Sequence, residues 1–245
     1  MGAIDHPQLA FDGTGYGIAW QDRRSSTDGV YFRRVDATGA EAGGETLMGL
    51  EGYWPAIAWN GTGYAVAWSD DSASTAGSFS PDIAFALVST TGSVAAQQTV
   101  TAPDGNNYYA SLAWTGSEYG LTFVSSNKYA TNDNVVLARF SAAGVLQGSV
   151  VTLTEPDQGA RDSSSACWTG TDYLVTWRQP GANNTAAIAG MRVDAAGAKL
   201  AGAWALTDPL GRGWTPLVAA GATSDGLVWQ DLSGSGPISF REVCR

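Results

Sequence analysis

Trp59-Asn60-Gly61-Thr62-Gly63-Tyr64, followed at once by Ala65-Val66-Ala67-Trp68, reads as two short β-strands joined by a glycine-rich hairpin turn. Nearly the same phrase recurs four more times. Phe11-Asp12-Gly13-Thr14-Gly15-Tyr16 leads to Trp20, and Trp114-Thr115-Gly116-Ser117-Glu118-Tyr119 leads to Phe123. Trp168-Thr169-Gly170-Thr171-Asp172-Tyr173 leads to Trp177. A degraded copy, Ala220-Gly221-Ala222-Thr223-Ser224-Asp225, leads to Trp229. The closing aromatics stand at 20, 68, 123, 177 and 229, a spacing of 48 to 55 residues. Self-similarity at that period marks a repeat architecture, and four strands per repeat make a propeller blade. The expectation is an all-β, five-bladed β-propeller of four-stranded antiparallel blades.

The repeats divide the 245 residues into blades of approximately 6–52, 53–107, 108–161, 162–213 and 214–245, leaving no room for a second domain. Within each blade, strand A ends on a small residue before its aromatic: Ala10, Ala58, Ala113, Cys167 and Ala219. Five small residues at one position imply close approach of neighbouring backbones. The alternate face, Leu9/Phe11, Ile57/Trp59, Leu112/Trp114, Ala166/Trp168 and Val218/Ala220, reads as core between blades. Strand C covers about 30–35, 83–88, 135–140, 188–193 and 238–243, and strand D the polar segments 45–48, 98–101, 150–154 and 203–207. The fifth repeat stops after strand C. Its blade is therefore incomplete, or closed by the short N-terminal segment Met1 to Asp5.

Composition narrows the function. The net charge of −10 opposes nucleic acid, which needs a basic surface, and an anionic membrane surface. No apolar run is long enough to span a bilayer, so no membrane insertion is expected. Charged residues are only 15%, with 31 glycines and ten tryptophans, a balance that suits an extracellular or periplasmic β-protein. Met1-Gly2-Ala3 has neither a basic n-region nor an apolar h-region and is read as an initiator methionine on a mature domain.

Strand parity puts the Gly-Thr-Gly-Tyr turns on one face of the disc and the longer B–C and D–A loops on the other. Variable loops on a repeat scaffold are the usual seat of function. The D–A loops hold turn chemistry at Pro103-Asp104-Gly105, Pro156-Asp157-Gln158-Gly159 and Pro209-Leu210-Gly211. Beyond them come Asp5-His6, Tyr53-Trp54, Tyr108-Tyr109, Arg161-Asp162 and Trp214-Thr215, which should ring the mouth of the central channel. Seven of the ten tryptophans occupy repeated strand positions, but Trp54 and Trp214 do not. These aromatics either stack sugar rings or plug the mouth as packing. Asp162 and the loop guanidinium of Arg178 complete the candidate ligand-binding set, while Arg23, Arg24, Arg161 and Arg212 read as ion-pair partners or sugar-hydroxyl donors.

Two residues after the strand B aromatic stand Asp22, Asp70, Ser125, Gln179 and Asp231. Once the ring closes, Asp22, Asp70 and Asp231 fall on one arc, near Asp5 and Asp71. That arc reads as a Ca²⁺ site, as a carboxylate pair for glycoside hydrolysis, or as aspartates capping turns. His6 is the lone histidine, which excludes zinc sites built on two or three, and no nucleophile elbow, Walker loop, EF-hand or dinucleotide fingerprint is present. Cys167 reads as a buried inert thiol, radially too distant from Cys244 for a disulfide.

The repeated W-x-G-x-x-Y phrase resembles the blades of bacterial secreted propeller proteins and spans nearly the whole chain. Five-bladed propellers of similar type include tachylectin-like lectins and arabinanase-like glycosidases. The glycosidases place a catalytic Asp at the start of strand A, often just before a proline. Asp5-His6-Pro7 is one residue out of that pattern, and Trp54 and Tyr109 occupy the position in the next two blades. The resemblance therefore implies a non-catalytic, lectin-like module for carbohydrate or cell-surface glycan. The alternatives are a glycosidase using Asp5 with another loop carboxylate, and a protein-interaction scaffold.

Overall fold

The computed structural model describes all residues except 1–3, 25–27, 76–77, 103–104, 128–132, 155–161 and 233–235. Among the described residues there are nineteen β-strands and a single 3-10 turn at Ala182–Asn184. The strands form five antiparallel sheets, four of four strands and one of three. Blade one is β1 (Ile4–Phe11), β2 (Gly15–Asp22), β3 (Gly29–Asp36) and β4 (Thr46–Leu50). Blade two is β5 (Gly52–Trp59), β6 (Tyr64–Asp70), β7 (Asp82–Val88) and β8 (Val94–Val100). Blade three is β9 (Gly105–Trp114), β10 (Glu118–Asn127), β11 (Asp133–Ser141) and β12 (Val151–Thr152). Blade four is β13 (Asp162–Trp168), β14 (Asp172–Pro180), β15 (Ala186–Asp194) and β16 (Trp204–Ala205). Blade five has three strands: β17 (Gly213–Ala220), β18 (Ser224–Asp231) and β19 (Ile238–Cys244). The fold is the five-bladed propeller expected from the repeats.

The hairpin of the repeat is closed by its own turn residues. Asn60 Oδ1 accepts from the backbone N–H groups of Thr62 and Gly63 at 2.8 Å, and Gly61 sits at φ +96°. Asp12 does the same for Thr14 and Gly15, while Thr115 and Thr169 use their hydroxyls. A side-chain oxygen that satisfies two turn amides explains why Asp, Asn and Thr alternate at this position.

Packing between blades follows one rule. Ile57, Trp59 and Tyr64 of blade two pack against Ala10, Ala19 and Phe32 of blade one. Leu112, Trp114 and Tyr119 meet Ala58 and Ala65, and Trp168 and Tyr173 meet Ala113. Val218 and Trp229 meet Cys167 and Leu174. Each seam sets large side chains of one blade into the small-residue face of the blade before it. The small position is thus what lets sheets approach.

The fifth seam does not form. Innermost strands β1, β5, β9, β13 and β17 pack in succession, but no such packing joins β17 back to β1. The sequence expectation that Leu9 and Phe11 are core is corrected: they are 65% and 55% exposed, because no blade lies against them. On the far side of the gap Leu217 and Phe240 are 53% and 68% exposed. Ile4 and Asp5 belong to β1 of blade one, residues 1–3 lie outside the described residues, and among the described residues the sheet of blade five ends at β19.

Candidate functional site

Every strand A carries the same irregularity. Asp5, Tyr53, Tyr108, Asp162 and Trp214 pair with Gln21, Ser69, Val124, Arg178 and Gln230, each one residue beyond the strand B aromatic. Immediately afterwards the register shifts in all five blades. The residue at the shift adopts positive φ each time: His6 (51°), Trp54 (50°), Tyr109 (57°), Ser163 (54°) and Thr215 (45°). None is glycine, although left-handed backbone costs an L-residue roughly 1–2 kcal/mol. Five such bulges re-aim five side chains toward the axis, the use to which bulges beside active sites are put.

These five residues line one cavity of about 310 Å³ at the channel mouth, together with Ser164, Ser165 and Trp214. Small hydroxyls stitch its wall. Ser111 Oγ accepts from Ala166 N at 3.1 Å, and Ser165 Oγ accepts from Val218 N at 3.2 Å. Innermost strands of adjacent blades share no ladder, so these side chains supply amide partners a sheet would otherwise provide.

One side of the mouth is aromatic. Trp54 stands 4.7 Å from Tyr109, 5.7 Å from Tyr53 and 6.0 Å from Tyr108, ring centre to ring centre. Phe79 stacks on Tyr108 at 5.9 Å and meets Tyr53 edge-on at 5.5 Å. His6 meets Trp54 edge-on at 6.4 Å. Burial raises the phenol pKa of Tyr53, Tyr108 and Tyr109, so all three remain neutral donors. Tyr53, Trp54, Tyr108 and Tyr109 therefore come together as the sequence suggested, with Trp54 and Tyr109 in the cavity wall and Tyr53 and Tyr108 behind them. Phe79 was not anticipated. It is the lone aromatic in the Ser-rich B–C loop of blade two, and that isolation was the available signal.

Across the channel, Arg178 Nη1 donates to Asp162 Oδ2 at 2.9 Å, and its guanidinium lies 4.2 Å from the centre of the Trp214 ring. Asp162, Arg178 and Trp214 are thus one unit spanning blades four and five. Burial raises the pKa of the Asp162 carboxyl, despite the opposing pull of Arg178. Its Oδ1 is buried without a hydrogen-bond partner. Asp5 holds the same register position in blade one and is half-buried.

The Asp22, Asp70 and Asp231 set does not assemble. With no seam between blades five and one, the three do not share the arc expected of them, and no group of three or more His, Cys, Asp or Glu among the described residues could hold a metal ion. Asp22 is 3% exposed and accepts from Arg24 Nε at 2.8 Å, which holds its carboxyl below the usual range. Asp70 Oδ1 accepts from Ser72 N at 3.0 Å in turn chemistry. Asp231 ends β18, its backbone N–H donating to Pro237 O at 2.9 Å. Asp71 likewise closes its own loop, accepting from Ser80 N at 2.8 Å. Arg23 pairs with Asp28 at 2.7 Å, so Arg23, Arg24 and Arg178 all serve ion pairs. Arg161 and the turns at Pro103-Asp104 and Pro156 to Gly159 lie outside the described residues. Cys167 and Cys244 are free, and burial pushes the Cys167 thiol up to about 12, as an inert core thiol requires.

No protein-family model matches the chain, and no curated protein matches it. Solved structures do. An endo-arabinanase of glycoside hydrolase family 43 from Bacillus licheniformis superposes with a TM-score of 0.53 at 13% identity, over 98% of this chain and 93% of that one. An α-L-arabinofuranosidase from Lactobacillus brevis gives 0.57 at 10%, over 99% and 91%. A Dyadobacter fermentans protein, titled as of unknown function, gives 0.71 at 10%, over 99% of this chain and 79% of that one. At such identities the likeness establishes the propeller fold. The expectation of a non-catalytic lectin-like module is corrected in favour of its glycosidase alternative, since four of the solved structures that share the fold are glycoside hydrolases by title.

Proposed function

We propose that this protein is a glycoside hydrolase of the five-bladed propeller type, acting outside the cytoplasm on a polysaccharide at the channel mouth. The observation that carries the reading is Asp162. Burial raises its carboxyl pKa, and it precedes Ser163 in the wall of the cavity that Trp54, Tyr109 and Trp214 also line. A carboxyl whose hold on its proton is strengthened by burial suits the donation that departure of a glycosidic oxygen needs. Asp162 is the proton donor. Asp5, at the same register position in blade one, is the carboxylate that takes a proton from the attacking water. Trp54 and Tyr109 offer ring faces to the sugar, and Tyr53 and Tyr108 pack behind Trp54 and support it. The family 43 enzymes that share the fold act on arabinan and arabinofuranosides by title, so these substrates, with xylan, are the first to assay.

The test is release of reducing sugar from arabinan and xylan, and of nitrophenol from aryl arabinofuranosides and xylosides. Wild type should turn over at least one of them, and Asp162→Asn should lose roughly 100-fold or more, the usual contribution of a general acid. A wild-type chain inert on all of them, or an unimpaired Asp162→Asn, overturns the reading.

A further inference from the structure

The four formed seams show what the unformed one lacks. In each, the later blade contributes large side chains and the earlier blade a small-residue face. The strand B tyrosine of the later blade needs particular room. A Cβ on Gly17 would lie 2.5 Å from the Tyr64 ring, and a Cβ on Gly120 would lie 2.3 Å from the Tyr173 ring. Ala65 fills the same position beneath Tyr119, in one core. Where the later blade carries Asp225 instead of tyrosine, the position is Leu174. Strand B is therefore small where a tyrosine arrives and large where none does.

Gly226 occupies that position in blade five, and nothing from a following blade approaches it. Its nearest neighbour is Phe240 of its own blade, 3.3 Å from a built Cβ. The slot is shaped for a tyrosine that this chain does not place there. Blade one shows the opposite half. Leu9 and Phe11 are largely exposed, and the Tyr16 ring meets Phe11 of its own blade at 5.2 Å.

We propose that the free faces of blades one and five receive a sixth four-stranded blade of this same repeat. The occupant must present an apolar strand A with a strand B tyrosine to Gly226, and a small-residue face to Leu9, Phe11 and Tyr16. A blade of the W-x-G-x-x-Y kind carries both. A second copy of this chain carries them on two different blades, one and five, so no single blade of it fills both faces. Its blades two, three and four are seamed on both sides, and its blades one and five each have one free face. Direct closure of blade five on blade one would require bending four close-packed seams, and packed interiors resist such deformation. A sixth blade would also add a sixth side chain to the ring around the cavity, although the proposal does not depend on hydrolysis.

The experiment compares the chain with a version carrying a second copy of residues 38–102 after Arg245, whose first part supplies the fourth strand that brings the chain back across blade five and whose remainder is blade two, with both Tyr64 and Ala65. Binding of anilinonaphthalene sulfonate, the melting temperature and the mass by light scattering are measured. The original chain should bind the dye; the extended chain should bind it several-fold less, melt several degrees higher and stay monomeric. Gly226→Leu should abolish those gains in the extended chain while leaving the original chain's melting temperature unchanged. Leu9→Cys with Ala219→Cys, in a Cys244→Ser background, should form no disulfide in the original chain. The proposal is overturned by ready formation of that disulfide, which would mean self-closure. A dye-silent dimer of the original chain, or an extended chain no more stable and no less dye-binding, overturns it equally.

Discussion

Tyr64 Oη donates to Asp12 Oδ2 at 2.6 Å across the seam between blades one and two, and Arg34 Nε donates to the same oxygen at 2.6 Å. The side chain of Asp12 is 2% exposed, so this carboxylate is a buried anion held by one guanidinium, one phenol and its own turn. The relationship recurs with different chemistry. Tyr173 Oη donates to Glu118 Oε1 at 3.3 Å between blades three and four, and Arg192 bridges Asp172 and Asp225 between blades four and five.

Tyr64→Phe removes one donor from a buried anion and should cost about 1–3 kcal/mol in urea unfolding, the penalty of leaving a buried acceptor short of a partner. An equal effect from Tyr16→Phe would show the loss to be generic, since Tyr16 has no such acid across a seam.

Asp12 also sets an acid dependence. The hydrogen bond from Arg34 above all, with Tyr64 assisting, holds its carboxyl well below the usual range. A carboxyl depressed in the folded state contributes its full stability above the ordinary Asp value of about 3.9, and loses it as pH falls toward the depressed folded value. Asp12→Asn should therefore flatten the fall in stability between about pH 4 and the acid limit. An unchanged acid limb in the variant would assign that dependence to other groups.

Gly120→Ala should destabilise by about 1–3 kcal/mol, because its Cβ would enter the Tyr173 ring and overpacked cores pay that much. Gly226→Ala meets only an exposed phenylalanine at 3.3 Å and should be neutral or mildly stabilising, as the unfolded chain loses freedom. Thermal denaturation of the pair distinguishes packing from glycine entropy.

Thr215 holds φ at 45° with a β-branched side chain, the most strained of the five bulge residues. Thr215→Gly should relieve roughly 1–2 kcal/mol of backbone strain, partly offset by about 0.5–1 kcal/mol of glycine entropy. The melting temperature should rise slightly; a clear fall would mean that the threonine side chain contributes contacts beyond its strain.

For the proposed chemistry, Arg178 opposes the upward shift that burial imposes on Asp162. Removing it in Arg178→Met raises the carboxyl further. Since the protonated form is the donor, the alkaline limb of the pH–rate profile should move to higher pH, and the acid limb should stay in place. A downward move of the alkaline limb, or none, would detach Asp162 from proton donation.

Much of this molecule is decided within single repeats. The hairpin at Trp59 to Tyr64, the small residue before each strand A aromatic and the polar fourth strand are consequences of local turn chemistry and of period-two burial, so they are written in the order of residues. Blade count and the aromatic mouth at Tyr53, Trp54, Tyr108 and Tyr109 follow from that order. What lies between blades does not. The bulge that turns His6, Trp54, Tyr109, Ser163 and Thr215 inward exists because innermost strands must diverge around an axis, and no residue type in those five positions announces it. The union of Asp162, Arg178 and Trp214 joins two blades. The dispersal of Asp22, Asp70 and Asp231 follows from a seam that five blades leave open, because ring closure depends on the summed angle of four packed interfaces and on no one of them.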